Sequence, residues 1–193
     1  DPDIPRPGWS SVLPSVSESA RSRPPLLVMD DLREVLPRDA IVSIDVTTVG
    51  YRAFDEFPVY EPRTFLYPCH YVNLGYAFPA ALGAKLARPD RAVVSVSGDG
   101  GFLMTAYELM TAVQYRIPAV AVVINDNCLS AIKGIQEKTY DGRSIDVEMQ
   151  NPDYVRFAES FGCRAVRASG SEALKAALRD ALRADGPTLI EVP

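Results

Sequence analysis

Two short polar segments carry the residues of this sequence best suited to chemistry. Gly98-Asp99-Gly100-Gly101 combines a carboxylate with glycines, and Asn125-Asp126-Asn127 places a second carboxylate between two amides. Two carboxylates that lie together repel each other unless a cation sits between them, and Mg²⁺ prefers such oxygen ligands. Backbone N–H groups at the start of a helix bind anions such as phosphate. If the two segments meet, they suit a hard cation held together with a phosphate.

The elements around these segments predict that they do meet. Residues 91–97 (RAVVSVS) form a β-branched, almost continuous apolar run, typical of a buried parallel strand, and residues 119–124 (AVAVVI) form another. Between them, apolar residues at helical spacing predict a helix over residues 102–116, which ends before a proline. Parallel strands joined by one right-handed crossover often lie side by side, with their carboxyl ends at one edge of the sheet. We therefore expect Asp99 and Asp126 to face each other.

This arrangement resembles the magnesium and diphosphate motif of thiamine diphosphate enzymes. That motif is Gly-Asp-Gly, then a helix, here containing Glu108-Leu109-x-Thr111-Ala112, and then a closing pair of asparagines. The resemblance implies that Mg²⁺ is bound by the carboxylates of Asp99 and Asp126 and by the backbone carbonyl of Cys128. Asp126 departs from the commonest pattern, in which an asparagine is found, but it is also an oxygen ligand.

Other interpretations of the same residues stay open at this point. Asp99 alone would cap the following helix, with residues 125–127 as an ordinary polar turn. A dinucleotide-binding loop fits less well, because residues 98–103 (GDGGFL) lack the third glycine of the G-x-G-x-x-G pattern. Thr47 and Thr48 end another predicted strand, where they either lie near the diphosphate or form a simple turn.

A second segment resembles acetolactate-synthase-like members of the family. Residues 72–84 (VNLGYAFPAALGA) are similar to their GxMGxxxPAAIGA segment, with Val72 in place of a glycine. The resemblance implies that Leu74 supports the bent cofactor and that the main chain of Val72 and Leu74 binds its aminopyrimidine ring. Without the resemblance, residues 79–87 are a small-residue helix packed closely on the sheet. The cofactor-binding residues that the resemblance implies are Val72, Leu74, Gly98, Asp99, Gly100, Gly101, Asp126, Cys128, Ser130 and Ala131.

The remaining patterns predict an α/β fold, a doubly wound parallel sheet of about five to six strands with helices on both faces. We expect helices over residues 26–36, 154–161 and 171–184, the last capped by Ser171, and strands over residues 40–46, 163–168 and 188–192. Residues 50–71 are aromatic-rich and irregular, which indicates an interface, a lid, or a loop packed on its own domain. Residues 128–150 form a long polar segment with little periodicity. The proline-rich residues 1–25 predict a linker, and residues 26–193 the cofactor-binding domain.

The composition of the 193 residues narrows the class of protein. With 47% apolar residues and a net charge of −5, the chain predicts a soluble, cytoplasmic protein. The sequence has no apolar run of membrane-spanning length and no basic stripe, so we expect neither a membrane nor a nucleic acid as partner. Cys69, Cys128 and Cys163 lack a CxxC pair, which favours reduced thiols over disulfides or zinc. His70 is the only histidine, and a packing or hydrogen-bonding role is favoured over a catalytic one.

The resemblance implies a function for the chain as one half of a site. It predicts the Mg²⁺ and thiamine diphosphate-binding half of an acetolactate-synthase-like carboligase or a 2-keto-acid decarboxylase, acting as a homodimer on a 2-keto acid. In this family an activating glutamate comes from a pyrimidine-binding domain of the same or another chain, and no segment here resembles that domain. No residue of this chain is therefore predicted to be catalytic, and the chain alone is expected to be inactive. The alternative is a non-catalytic cofactor-binding module, or the small subunit of a split 2-keto-acid decarboxylase.

Overall fold

A computed structural model describes residues 27–193 of the chain as an α/β fold built on one sheet. The six strands of this part of the chain are all parallel and are ordered β2-β1-β3-β4-β6-β5. They are β1 (Ile41–Ile44), β2 (Phe65–Leu66), β3 (Val93–Gly98), β4 (Val120–Ile124), β5 (Arg164–Arg167) and β6 (Thr188–Val192). The predicted linker over residues 1–25 lies outside the described residues.

Helices cover both faces of this sheet. They are α1 (Leu27–Val35), α2 (Thr48–Glu56), α3 (Ala77–Ala87), α4 (Asp99–Leu103), α5 (Glu108–Gln114), α6 (Ser130–Thr139), α7 (Tyr154–Ser160) and α8 (Ser171–Ala181). The predicted fold class, a doubly wound parallel sheet with helices on both faces, is confirmed. No helix among residues 27–193 is long and apolar enough to cross a lipid bilayer.

The central strand β4 shows how one apolar run serves two hydrophobic cores. Val120 and Val122 face the core that α1, α2 and α8 cover, whereas Ala121 and Val123 face the core that α3, α5 and α7 cover. Successive side chains of a strand point to opposite faces, so a strand buried on both sides needs apolar residues throughout. This is the reason why residues 119–124 read as a continuous apolar run.

The strand order places a crevice at the carboxyl end of the sheet. β1 lies between β2 and β3, so the chain leaves β1 towards one edge of the sheet and later returns to build β3 on its other side. Open α/β sheets bind ligands at such a switch point, outside the carboxyl ends of the strands. On the other side of β3, Gly98 is the register partner of Ile124. The segments that follow β3 and β4, which hold Asp99 and Asp126, therefore start side by side.

Three sequence-based expectations about helices were wrong. The single helix expected over residues 102–116 is two helices, α4 and α5, separated by a turn in which Met104, Thr105 and Glu108 donate backbone hydrogen bonds to the residues three positions before them. The two glycines of α4 are poor helix formers, and the Thr105 hydroxyl is engaged outside the helix, with the carbonyl of Gly75.

The other two wrong expectations concern segments assigned no regular structure and one helix cap. Residues 50–71 hold most of α2 and all of β2, and the polar segment 128–150 holds α6. Ser171 does not cap α8, because Gly170 is the N-cap residue and the Ser171 hydroxyl donates to Asp31 of α1 at 2.7 Å. The contact of Ser171 with Asp31 is tertiary, so the local pattern does not contain it.

Candidate functional site

The crevice at the carboxyl end of the sheet contains a cavity of about 280 Å³. Its walls come from the segments that follow β1, β3 and β4, from the start of α6 and from the loop before α3. All ten residues predicted to bind the cofactor line this one cavity: Val72, Leu74, Gly98, Asp99, Gly100, Gly101, Asp126, Cys128, Ser130 and Ala131. Thr47 and Thr48 line it as well, so segments more than 80 residues apart in sequence converge on one site.

Asp99 and Asp126 are the two carboxylates that line the cavity, and each is held by neutral donors. Asp99 is 3% exposed, and its Oδ1 and Oδ2 accept from the Gly100 N–H at 2.8 Å and from Asn151 Nδ2 at 2.7 Å. Asp126 accepts from the Cys128 N–H at 3.1 Å and from the Ser130 hydroxyl at 2.5 Å. These bonds fix the orientation of both carboxylates without neutralising their charge.

The charge of this pair is uncompensated within the described part of the chain. Among residues 27–193, neither Asp99 nor Asp126 forms an ion pair with a lysine or arginine. The same residues contain no cluster of three histidine, cysteine, aspartate or glutamate side chains that would hold a metal. The two carboxylates alone are therefore too few to hold a metal. A cation at this site would need further oxygen ligands, such as the backbone carbonyl of Cys128.

Two helices begin at the cavity, and the sequence analysis predicted neither. Thr48 and Val49 are in the first turn of α2, and Ser130, Ala131 and Ile132 are in the first turn of α6. The N–H groups of a first turn have no acceptor within the helix, and the helix dipole adds partial positive charge there. Both helix starts therefore favour an anion in the cavity. The capping threonine before α2, Thr47, was the available signal for that helix, and its hydroxyl accepts from the Gly50 N–H at 2.8 Å.

The N–H groups of the two glycines after β3 differ in their partners. The Gly100 N–H donates to Asp99, so it is not free for an anion. A Cβ atom at Gly100 would lie 2.8 Å from Leu129 Cδ2, so a larger residue there would require the Leu129 side chain to move. The Gly101 N–H, in the first turn of α4, remains without an acceptor inside the helix.

The loop before α3 places two predicted residues at the opening of the cavity. Leu74 is 40% exposed, and Val72 has a φ of 53°, in the left-handed region. The glycine that Val72 replaces in the related motif would adopt this conformation without strain. The loop is held by Asp45 at the end of β1, whose buried carboxylate accepts from the Gly75 N–H at 3.0 Å. Burial raises the pKa of Asp45 above its usual range, although backbone N–H groups of this loop oppose the shift.

Asp45, Asn151 and Tyr154 are site residues that the sequence analysis did not assign. The amide of Asn151, three residues before α7, donates to Asp99 Oδ2 at 2.7 Å. The hydroxyl of the buried Tyr154 donates to the Asp99 carbonyl at 3.1 Å. These contacts join residues more than 50 positions apart, so no local pattern predicts them.

His70 does not line the cavity, and of the three cysteines only Cys128 lines it, with its backbone N–H bonded to Asp126. His70 is exposed and lines a separate open cleft formed by residues of the segment 67–76. The three cysteines are free thiols, as predicted, with Cys69 exposed and Cys128 and Cys163 buried. Burial raises the pKa of the Cys163 thiol to about 11. Cys163 is therefore an inert core residue at neutral pH.

Comparison with known proteins agrees with this site. Residues 45–192 match the family model "Thiamine pyrophosphate enzyme, C-terminal TPP binding domain". The chain is 38% identical over 169 residues to acetolactate synthase of Bacillus subtilis, which covers 88% of this chain and 30% of that protein. It is 34% identical over 193 residues to benzoylformate decarboxylase of Pseudomonas aeruginosa, which covers 98% of this chain and 35% of that protein.

A solved structure of a thiamine diphosphate-dependent enzyme has a similar fold. The thiamine diphosphate-dependent 4-hydroxybenzoylformate decarboxylase of Rhodococcus jostii superposes with a TM-score of 0.79 at 31% identity, covering 86% of this chain and 31% of that one. The chain thus spans about a third of the length of the relatives that it matches. The matched residues 45–192 include Asp99, Asp126 and the starts of α2 and α6. The chain belongs to the thiamine pyrophosphate enzymes and carries their C-terminal TPP-binding domain.

Proposed function

We propose that the cavity binds the diphosphate of thiamine diphosphate together with Mg²⁺. The observation that carries this proposal is the pairing of opposite demands in one cavity: Asp99 and Asp126 need a cation, and the first turns of α2 and α6 need an anion. A metal bound by the two carboxylates and the Cys128 carbonyl, and also by phosphate oxygens, satisfies both. The residues present fit this group, because oxygen atoms are the ligands that Mg²⁺ prefers.

The residues of this domain hold and orient the cofactor. The first-turn N–H groups of α6, at Ser130 and Ala131, are donors for phosphate oxygens, and Gly101 adds a donor after β3. Leu74 and the main chain of Val72 lie at the cavity opening, where we place the contact with the rest of the cofactor. When bound, thiamine diphosphate supplies the carbon nucleophile and electron sink for reactions of 2-keto acids.

We infer that the whole protein is a 2-keto-acid decarboxylase or an acetolactate-synthase-like carboligase. The names of the relatives support this range, since one is an acetolactate synthase and others are decarboxylases of aromatic 2-keto acids. The missing partner in this proposal is a pyrimidine-binding domain of the same or another chain, because this chain corresponds to about a third of its relatives. Self-association as a homodimer and a cytoplasmic location are further parts of the proposal.

The test of the cofactor site is calorimetric titration of the full protein with thiamine diphosphate in the presence and absence of Mg²⁺. Asp99→Ala removes a ligand and its charge, so we expect Mg²⁺-dependent binding to be lost. Asp126→Asn keeps an oxygen ligand and should have a mild effect. Asp90→Ala is the matched control, because Asp90 is an exposed aspartate that pairs with Arg88 before β3, and its loss changes the net charge equally. Unchanged affinity in Asp99→Ala would refute the assignment.

A further inference from the structure

A chain of hydrogen bonds connects the buried carboxylate of Glu191 to Asp99. Asn125 Nδ2 donates to Glu191 Oε1 at 2.8 Å, and Asn151 Nδ2 donates both to Asn125 Oδ1 at 2.9 Å and to Asp99 Oδ2 at 2.7 Å. Glu191 is 2% exposed and Asp99 is 3% exposed. These hydrogen bonds therefore lead from the interior of the sheet to the wall of the cavity through two amide side chains.

The two ends of this chain determine how both amides are turned. Glu191 only accepts, so Asn125 must direct its NH₂ group towards it and its oxygen towards Asn151. Asn151 must then direct its NH₂ group towards that oxygen, and the same group also reaches Asp99. A flip of Asn151 would place oxygen against oxygen at two contacts. A flip of Asn125 would place its oxygen against Glu191 and its NH₂ group against the NH₂ group of Asn151. The network thus holds the Asp99 carboxylate in one orientation, as an acceptor.

An arginine compensates the charge of Glu191, whereas the charge of Asp99 is not compensated by an ion pair within residues 27–193. Arg167 Nε donates to Glu191 Oε2 at 2.8 Å, and another nitrogen of Arg167 lies 3.3 Å from Asp153 Oδ1. This ion pair compensates the buried Glu191, and it raises the pKa of Arg167. Within residues 27–193, the Asp99 carboxylate accepts from the Gly100 N–H and from Asn151 Nδ2, and both donors are neutral. Its charge is held in place and left available for a cation.

The network also couples four elements at the carboxyl end of the sheet. Asp99 follows β3, Asn125 follows β4, Glu191 lies in β6, and Asn151 precedes α7. The strands are already aligned by register, since Gly98 pairs with Ile124 and Ile124 pairs with Val192. Asn151 is the one member that comes from outside the strand ends, and it closes over them. Its side chain therefore sets the position of Asp99 relative to Asp126, which is two residues beyond Ile124.

We propose that Asn151 is a positioning residue for the metal-binding carboxylate of Asp99, and that Asn125 and Glu191 anchor it. This inference rests on the proposed Mg²⁺ and diphosphate site. Asn151 acts through Asp99 and makes no contact with the metal itself. Partners that orient a ligand in this way typically change metal affinity by about 10- to 100-fold when they are removed.

The test is the binding of Mn²⁺ to the full protein at a fixed, saturating concentration of thiamine diphosphate, followed by electron paramagnetic resonance. Asn151→Leu keeps the size of the side chain but removes its donors, so we expect Mn²⁺ to bind about 10- to 100-fold more weakly, with an altered spectrum of the bound ion. Ser171→Ala is the matched control, since it also removes one part-buried hydrogen bond to an aspartate, at 2.7 Å, and neither Ser171 nor Asp31 lines the cavity. Its Mn²⁺ affinity should equal that of the wild type.

The outcomes separate this inference from the function on which it rests. If the wild type binds Mn²⁺, Asp99→Ala does not, and Asn151→Leu binds as the wild type does, the positioning role is wrong and the cofactor site stands. If the wild type itself binds no Mn²⁺ with thiamine diphosphate, the proposed function is wrong and the inference falls with it. Should Asn151→Leu fail to fold, Glu191→Gln weakens the anchor while keeping the shape of the side chain. A smaller loss of Mn²⁺ affinity in Glu191→Gln supports the inference, and wild-type affinity there contradicts it.

Discussion

Single residues of this domain depart from the family pattern at places where the structure shows the physical consequence. Val72 stands in place of a glycine and has a φ of 53°. A left-handed backbone costs an L-residue roughly 1–2 kcal/mol, and a β-branched side chain at such a φ is an outlier. Val72 lines the proposed cofactor cavity, so the strain lies beside the site. Strained backbone often occurs at functional sites, where the surrounding structure holds it in place.

Val72→Gly tests this strain directly. Glycine relieves the left-handed strain but increases the freedom of the unfolded chain, so we expect a net gain of about 0.5 to 1 kcal/mol in the free energy of unfolding. Urea denaturation measures it. The control is Val59→Gly, at a valine of similar exposure whose φ is not positive, where only the cost of about 0.5 to 1 kcal/mol remains. Equal destabilisation by both substitutions would show that Val72 is not strained.

At the scale of elements, strands were more predictable than helices. The runs at residues 91–97 and 119–124 were read correctly as β3 and β4, because a strand buried on both faces must be apolar throughout. Helix α6 escaped prediction because none of its residues is buried, so it has no strong apolar face. The proximity of the Asp99 and Asp126 segments was predictable, because parallel strands joined by one crossover often lie side by side with their carboxyl ends at one edge of the sheet. Asn151 could not be found, since its contact with Asp99 joins residues 52 positions apart.

Helix α2 packs closely against the end of β1 at Gly50, and this contact can be tested by substitution. A Cβ atom at Gly50 would lie 2.2 Å from the backbone oxygen of Asp45, which is an impossible distance. Gly50→Ala should therefore destabilise the fold by roughly 1–3 kcal/mol, because α2 must move away from the end of β1. Thermal denaturation followed by circular dichroism measures the effect.

The matched control for Gly50→Ala is another helical glycine. At Gly83 in α3, an added Cβ atom meets nothing within 4 Å and the residue is exposed. Gly83→Ala should stabilise the protein by about 1 kcal/mol, the difference in helix propensity between the two residues. A gain in stability from Gly50→Ala would mean that α2 does not pack against Asp45 as described.

At the scale of the whole molecule, large apolar side chains that line the cavity are exposed, Tyr51 by 50% and Ile132 by 47%. Tyr71, next to Val72 in the chain, is 90% exposed. Exposed apolar surface of this kind is typical of an interface. The predicted interface role of residues 50–71 remains a prediction, with Phe57 and Phe65 packed on the core of their own domain. Self-association also remains a prediction, which light scattering at high protein concentration checks.

The isolated 193-residue chain should neither decarboxylate nor ligate pyruvate when Mg²⁺ and thiamine diphosphate are supplied. An activating carboxyl group for the pyrimidine ring is expected from another domain, and removing a positioned acid–base group typically costs about 10²- to 10⁴-fold in rate. Without that other domain the substrate and cofactor are also less well oriented and water can enter the site, so the loss in rate should be larger still. Assays for aldehyde and acetolactate measure the outcome. Product formation that disappears in Asp99→Ala would show a self-contained enzyme.

The proposed function requires a metal ion that joins the Asp99 and Asp126 carboxylates to a diphosphate. The most direct measurement is anomalous diffraction at the manganese edge from crystals of the full protein grown with Mn²⁺ and thiamine diphosphate. We predict one anomalous peak bound by both carboxylates, the Cys128 carbonyl and diphosphate oxygens, with Asn151 still bonded to Asp99. A bound cofactor whose anomalous peak lies away from Asp99 and Asp126 would contradict the account.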